Sequence, residues 1–303
     1  MRRTFLTINI GIALCLAQGN PLSAQCRNTV AYSLEEAVKD SLCIKKLILK
    51  IRKREQLSAA IGSLKNVELI DLQKNAFVIL PDEIGRLREA RQLVLTGNNL
   101  RRLPTTLGDM QSLSTLLADK NHLIELPAGL SQLKQLTTLD ASWNDLSSLG
   151  DEVAGLQSLK VLHVSHNHLL FLPDEMGQLQ QVVFADLSYN AITSLPASIG
   201  GMKQLRELNL VSNQISRLPE EIGDLDSLRF LGLTDNALTQ LPGGIGKLHS
   251  LEMLALSNNR LTKLPASVKK LKSLKTLYLA GNNFEEKTRR KIKRWLPQTA
   301  LYF

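Results

Sequence analysis

Aromatic side chains are scarce in this chain, 4% of 303 residues, so any core built from its 44% of apolar residues must be aliphatic. Long polar tracts are missing too, which excludes a chain disordered by composition. After the first two dozen positions no apolar run approaches the ~20 residues a membrane-crossing helix needs, so no transmembrane segment is expected. Cysteine is limited to Cys15, Cys26 and Cys43, without the paired Cys and His spacing of a zinc site. No nucleophile stands beside a recognisable oxyanion pocket. These gaps leave little room for an enzyme, and neither a cofactor nor a metal is expected.

The start of the chain reads as an export signal over residues 1–24. Arg2 and Arg3 supply the positive end, Phe5 to Ala17 the apolar stretch, and Leu22-Ser23-Ala24 a small-residue cleavage site. The apolar stretch is well short of what spanning a bilayer requires. An exported protein residing in the periplasm, on the cell surface or outside the cell is expected. Processing would remove Arg2, Arg3 and Cys15, leaving 35 basic and 28 acidic side chains, a balance of +7. It would also leave an even pair of cysteines in an oxidising compartment, so Cys26 and Cys43 are expected to form a disulfide. Two free thiols, or a lipid on Cys26, are the alternatives; Gln25 stands where lipid transfer would need a small residue.

Asparagine recurs at one constant interval, at Asn75, Asn98, Asn121, Asn144, Asn167, Asn190, Asn213, Asn236, Asn259 and Asn282. Around each lies the frame LxxLxLxxNxLxxLPxxIGxL, clearest in Leu205, Leu208, Leu210, Asn213, Ile215, Leu218, Pro219, Ile222, Gly223 and Leu225. Eight of the ten prolines share one column, from Pro81 to Pro265, and Gly150 takes that place once. Such a period marks a stack of identical small units, each burying its apolar side against the next. In every unit LxL alternates inward and outward as a half-buried strand does. Neighbouring units pair these strands into a parallel sheet roughly 50 Å long. The asparagine amide both donates and accepts, and is expected to satisfy backbone groups where the chain turns away, forming a ladder. The proline segment leads into a short turn on the far side and serves as scaffolding.

This frame resembles the leucine-rich-repeat family over residues 47–284, in particular the 23-residue LPxxIG type of Ras-suppressor-like and plant intracellular Ras-group proteins and of secreted bacterial relatives. The resemblance implies an α/β solenoid: a curved arc with the parallel sheet on its concave face and turns or short 3-10 segments on its convex face. It implies a fold and not a partner.

Stacked repeats expose apolar ends unless terminal segments cover them. Residues 25–46 are expected to be an N-terminal cap, where Ser33-Leu34-Glu35-Glu36 has the capping-box pattern and Leu34, Ala37, Val38 and Leu42 share one helix face. The first repeat is degenerate: Arg52 replaces the asparagine, Arg54 an apolar residue and Ser58 the proline, as expected at a solvent edge. Residues 285–303 read as a cap helix and tail, with Ile292, Trp295 and Leu296 inward and Pro297 as the stop. Trp295 is expected to plug that end. Basic residues crowd both caps, but no aromatics are interleaved for base stacking, so they are read as solvated faces and no nucleic-acid partner is expected.

Individuality is confined to outward strand positions, which form three columns. Aromatics gather in the middle of them: Phe184 and Phe230 in the first column, Trp143, His166 and Tyr189 in the third. Exposed aromatics at the centre of a concave sheet suit a binding hot spot. A partner protein or peptide is therefore expected there, with Asp140, His163, Asp186 and Asp235 adding polar contacts. The protein is expected to act as a monomer. Aromatic rings beside carboxylates also suit sugars, which makes cell-surface glycan recognition or adhesion the alternative. A hydrolase or metal site at Asp140, His163 and Asp186 would use an imidazole flanked by carboxylates, but an open sheet excludes water poorly. His122, His168 and His249 fall on turns without a pattern.

Overall fold

The computed structural model describes Cys26 and residues 29–303; the expected export segment at residues 1–24 lies outside them. Three-residue strands follow one another, one to a repeat: β2 (Lys46–Ile48), β3 (Leu69–Asp71), β4 (Gln92–Val94), β5 (Thr115–Leu117), β6 (Thr138–Asp140) and β7 (Val161–His163), then β8 (Phe184–Asp186), β9 (Glu207–Asn209), β10 (Phe230–Gly232), β11 (Met253–Ala255) and β12 (Thr276–Tyr278). Each pairs in parallel with the next at a register of one whole repeat, as in Thr138↔Val161↔Phe184. The middle residue of each points inward and is buried, from Leu47 and Ile70 through Leu254 and Leu277.

Opposite the strands run ten five-residue 3-10 turns, from Ala59–Ser63 to Ala266–Lys270. The column proline precedes eight of them at the φ its ring enforces, −65° at Pro104 for example, and its carbonyl takes the first turn bond, as Pro104 does from Leu107 N–H. Gly223 lies so close to the Gly244 carbonyl of the next repeat that a side chain could not be inserted. The 3-10 turns are wider than strands spaced at ~4.8 Å, and the unequal widths bend the unclosed stack into an arc with the sheet inside. Between the layers the core is a continuous file of leucine, isoleucine and valine, with Phe77 and Phe284 as its two buried aromatics among the described residues.

Both ends depart from the expectations. A short strand β1 (Val30–Ala31) precedes helix α1 (Leu34–Lys39) and pairs in parallel with β2. The first repeat is therefore not the sheet's edge. The Ser33 half of the capping box forms as expected, Ser33 Oγ accepting from Glu36 N–H at 3.0 Å, while Glu36 Oε2 accepts from Tyr32 N–H at 3.2 Å, one residue before the N-cap. Leu34 and Ala37 are buried, but α1 ends before Leu42, which is 56% exposed rather than on the inner face. The Cys26–Cys43 disulfide is present, with Cα atoms 5.3 Å apart, and ties the chain before β1 to the segment leading into β2.

At the other end Ile292 of α2 (Glu286–Trp295) and Leu296 just after it are buried as expected. The tail of residues 285–303, however, returns as strand β13 (Ala300–Tyr302), which pairs with β12 and completes a 13-stranded sheet. Trp295 packs against the core while staying partly open to solvent, with Lys269 Nζ and Lys291 Nζ 4.9 and 4.8 Å from its ring centre. Both ammonium groups lie within cation–π range of the indole.

Candidate functional site

The asparagine ladder fixes the turn that carries the third column. Asn144 Oδ1 accepts from Leu123 N–H of the preceding repeat at 2.9 Å, while Nδ2 donates to the Ala118 carbonyl at 3.0 Å and to the Ala141 and Ser142 carbonyls of its own turn. All ten asparagines donate to the carbonyl three positions back in the same way. Even the degenerate first repeat is held by this device, since Arg52 and Arg54 N–H both donate to Asn75 Oδ1.

Bending sharply enough to place that amide forces the preceding residue into the left-handed region. Lys74, Lys120, Trp143, His166, Tyr189, Ser212, Asp235 and Asn258 all have φ between 52° and 56°, and Gly97 and Gly281 complete the column. Glycine suits this geometry; a bulky side chain resists it by about 1–2 kcal/mol. Three aromatics nevertheless occupy it in succession. Their rings stack: Trp143 on His166 with centroids 3.7 Å apart and planes 13° apart, His166 on Tyr189 at 4.2 Å and 7°. Both faces of the imidazole are covered, and solvent meets the ring edges. Trp143 and Tyr189 remain about half exposed.

The other aromatics do not join this stack. Phe184 meets His163 in a tilted contact at 4.9 Å. Phe230 is separated from Phe184 by Glu207 in the register and leans over Gly232, where an added side chain would meet its ring. The expected single patch is thus one stack, one neighbouring pair and one separate ring. A second stack, Tyr278 on Tyr302 at 4.9 Å, continues the sheet into β13. Sequence reading missed it because Tyr302 falls outside the spacing of the repeats.

Asp140, His163 and Asp186 stand side by side in register. Their carboxylates serve their own turns first: Asp140 Oδ1 accepts from Ser142 N–H at 2.9 Å, and Asp186 Oδ1 accepts from Ser188 N–H, Ser188 Oγ and Asn209 Nδ2. No protein donor among the described residues reaches the second oxygen of either. Asp235 Oδ1 accepts from Asn258 Nδ2 at 2.7 Å. Among the described residues no group of three or more His, Cys, Asp or Glu is placed to hold a metal ion, and no helix is long and apolar enough to cross a membrane.

Two features were not anticipated. His122 and His168 do follow a pattern, flanking Asp145 of the intervening repeat at 3.3 and 3.6 Å. The shared repeat register of all three was the available signal. Along the flank that leads from the asparagines to the prolines, Val78, Ile79, Ile124, Leu170 and Phe171 are exposed, and Val78, Ile79 and Ile124 border a shallow cleft of about 520 Å³ with Arg101 and Arg102.

Comparison with known proteins matches this geometry to a family. Residues 129–229 and 217–288 match the model of a leucine-rich repeat region. No curated protein matches the chain. Among solved structures, a leucine-rich-repeat protein of Leptospira interrogans is 30% identical over 89% of this chain and 86% of its own, with a TM-score of 0.54. The Arabidopsis receptor kinase HAESA, solved with the peptide hormone IDA and the co-receptor SERK1, is 28% identical over 76% of this chain, with a TM-score of 0.65. The plant peptide hormone receptor RGFR1, solved with RGF2, is 25% identical over 88% of this chain, also at 0.65. This chain spans 40% and 48% of those two receptor chains, less than half of each. With more than half of its length inside the family model and a Leptospira protein matching most of both chains, this chain belongs to the leucine-rich repeat family.

Proposed function

We propose that the protein is an exported binding module, and not an enzyme, that recognises a protein or peptide on the concave face of its sheet. The observation that carries this reading is the Trp143–His166–Tyr189 stack, half exposed at the centre of the sheet and seated at three left-handed positions. The left-handed turn recurs in every repeat, so what sets these three positions apart is that rings fill them in succession and are held by the turn in one fixed place. The stack offers rigid apolar area with little entropy left to lose, the usual chemistry of an interface hot spot. Phe184, Phe230, His163 and the carboxylates of Asp140, Asp186 and Asp235 border it. The receptors HAESA and RGFR1, similar over most of this chain, were solved with peptide hormones, and this supports a peptide or protein as the ligand class.

The same geometry favours a peptide over a sugar. Sugar rings pack on free aromatic faces, whereas both faces of His166 and one face each of Trp143 and Tyr189 are taken up by the stack. The export reading is supported by the Cys26–Cys43 disulfide, since such bonds persist in oxidising compartments.

Affinity capture from surrounding cells or envelope, with the wild type and a Trp143→Ala/Tyr189→Ala variant side by side, tests the site. The variant loses stacking of about 0.5–1.5 kcal/mol per ring pair and keeps the left-handed backbone, which alanine's Cβ resists as a ring's does, so its melting temperature should fall by only a few degrees. A partner retained by the wild type and lost from the variant is the expected outcome. Equal retention by both would sink the reading.

A further inference from the structure

The third column and its two neighbours also differ in charge from the rest of the molecule. From β6 to β11 their outward positions carry four carboxylates, Asp140, Asp186, Glu207 and Asp235, and not one lysine or arginine. The chain as a whole is cationic, at +9. The nearest cation on the strand columns, Lys120, precedes Trp143 by one repeat in the third column, and Lys74 lies two repeats further. Lys160, Arg206 and Arg229 stand one position before the first column, at the strand entries, and Arg229 is engaged with Glu252 at 3.8 Å.

Resting on the binding site proposed above, we propose that its ligand is an extended peptide segment bearing lysine or arginine, with apolar side chains set against the aromatic stack. Three observations converge. Hydrogen bonds to backbone and neighbours fix one oxygen of Asp140 and of Asp186, leaving the second oxygen of each aimed away from protein donors. Glu207 is exposed and lies in register between Phe184 and Phe230, so an ammonium or guanidinium group at Glu207 would rest between two phenyl rings. The strands run parallel at a constant register, so the carboxylates of the β6, β8, β9 and β10 repeats lie in a row across the sheet along which an extended chain can place its side chains. An acidic patch on a basic protein selects its ligand against the protein's own net charge, since like charges elsewhere repel it and opposite charges here attract it.

That opposition makes the test decisive. The purified protein is titrated into fluorescent decapeptides of one Leu/Ser/Gly framework carrying three lysines, three glutamates or neither, and into labelled heparin, at ~0.15 M salt. The lysine peptide is expected to bind about tenfold tighter than the glutamate peptide, although the net charge of the protein predicts the reverse. An Asp186→Asn/Glu207→Gln variant, which keeps the Ser188 and Asn209 hydrogen-bond geometry close to native, should lose that preference, while Lys74→Gln should not. Tighter binding of the glutamate peptide or of heparin, equal binding of all peptides, no binding of the lysine peptide at millimolar concentration, or a preference that survives in the Asp186/Glu207 variant would each overturn the inference. The Trp143→Ala/Tyr189→Ala variant separates the two levels. Where the lysine preference fails, loss of peptide binding in this variant leaves the concave site standing and only the charge preference falls; binding unchanged in the variant removes the site itself.

Discussion

At the scale of single residues, the ladder asparagines show how one side chain can be indispensable without touching any ligand. Asn167 Oδ1 accepts from Leu146 N–H at 3.0 Å, and its Nδ2 donates to the carbonyls of Ala141, Val164 and Ser165. Asn167 is 5% exposed, so water cannot replace these bonds. Asn167→Ala is therefore expected to cost about 1–3 kcal/mol, seen as a lower denaturant midpoint; an unchanged midpoint would show that the ladder carries no net stability. The ladder was legible in the sequence because so strict a spacing admits few other readings. The backbone angle it imposes on the preceding residue was not, because φ is set by how the turn closes against the next repeat. Hence Trp143, His166 and Tyr189 were recognised as exposed aromatics but not as strained ones.

At the scale of elements, the caps decide how the stack ends. Helix α1 makes little core contact beyond Leu34, Ala37 and Val38, and the disulfide joins cysteines at a sequence separation of 17 around it. A loop of that size restricts the unfolded chain by about 3 kcal/mol in the chain-entropy account. Cys43→Ser should lower stability by roughly that amount and expose α1 to limited proteolysis before the repeats; cleavage at equal rates in variant and wild type would contradict this. The expected pairing followed from counting cysteines. The strands β1 and β13 did not follow from counting anything. The register Val30↔Lys46 falls short of one repeat and Thr276↔Ala300 exceeds it, because a helix replaces the 3-10 turn in each cap. A two- or three-residue strand outside the period has no sequence signature until a neighbouring strand offers it hydrogen bonds.

For the molecule as a whole, charge pairing between repeats shapes the response to pH. The hydrogen bond and charge of Lys45 hold the Glu68 carboxyl below its ordinary value, and those of Lys275, helped by Arg229, do the same for Glu252. A carboxyl whose native value is lowered stabilises the fold above the ordinary value of 4.5, and that contribution is lost as pH falls through the lowered value. Both side chains are open to solvent, so the effect should be small and screened by salt. A melting temperature that drops between pH 5 and pH 3 in the wild type, and drops less in a Glu68→Gln/Glu252→Gln variant, is the expected result. Identical pH profiles would remove these pairs from the account.

Repetition made the architecture readable. A strictly spaced aliphatic spine has one way to bury itself, against a copy of itself, so strand order, register and core could be written from residue spacing alone. What tertiary structure decided is whatever lies between repeats or outside their period. It settled which aromatics touch, with Trp143, His166 and Tyr189 stacked and Phe230 set apart. It turned Leu42 outward and left Trp295 packed on the core but partly open to solvent. It also added a strand at each end of the sheet. Spacing along the chain assigns a side chain to a column, but ring orientation and edge pairing depend on neighbours that only the folded stack brings within reach.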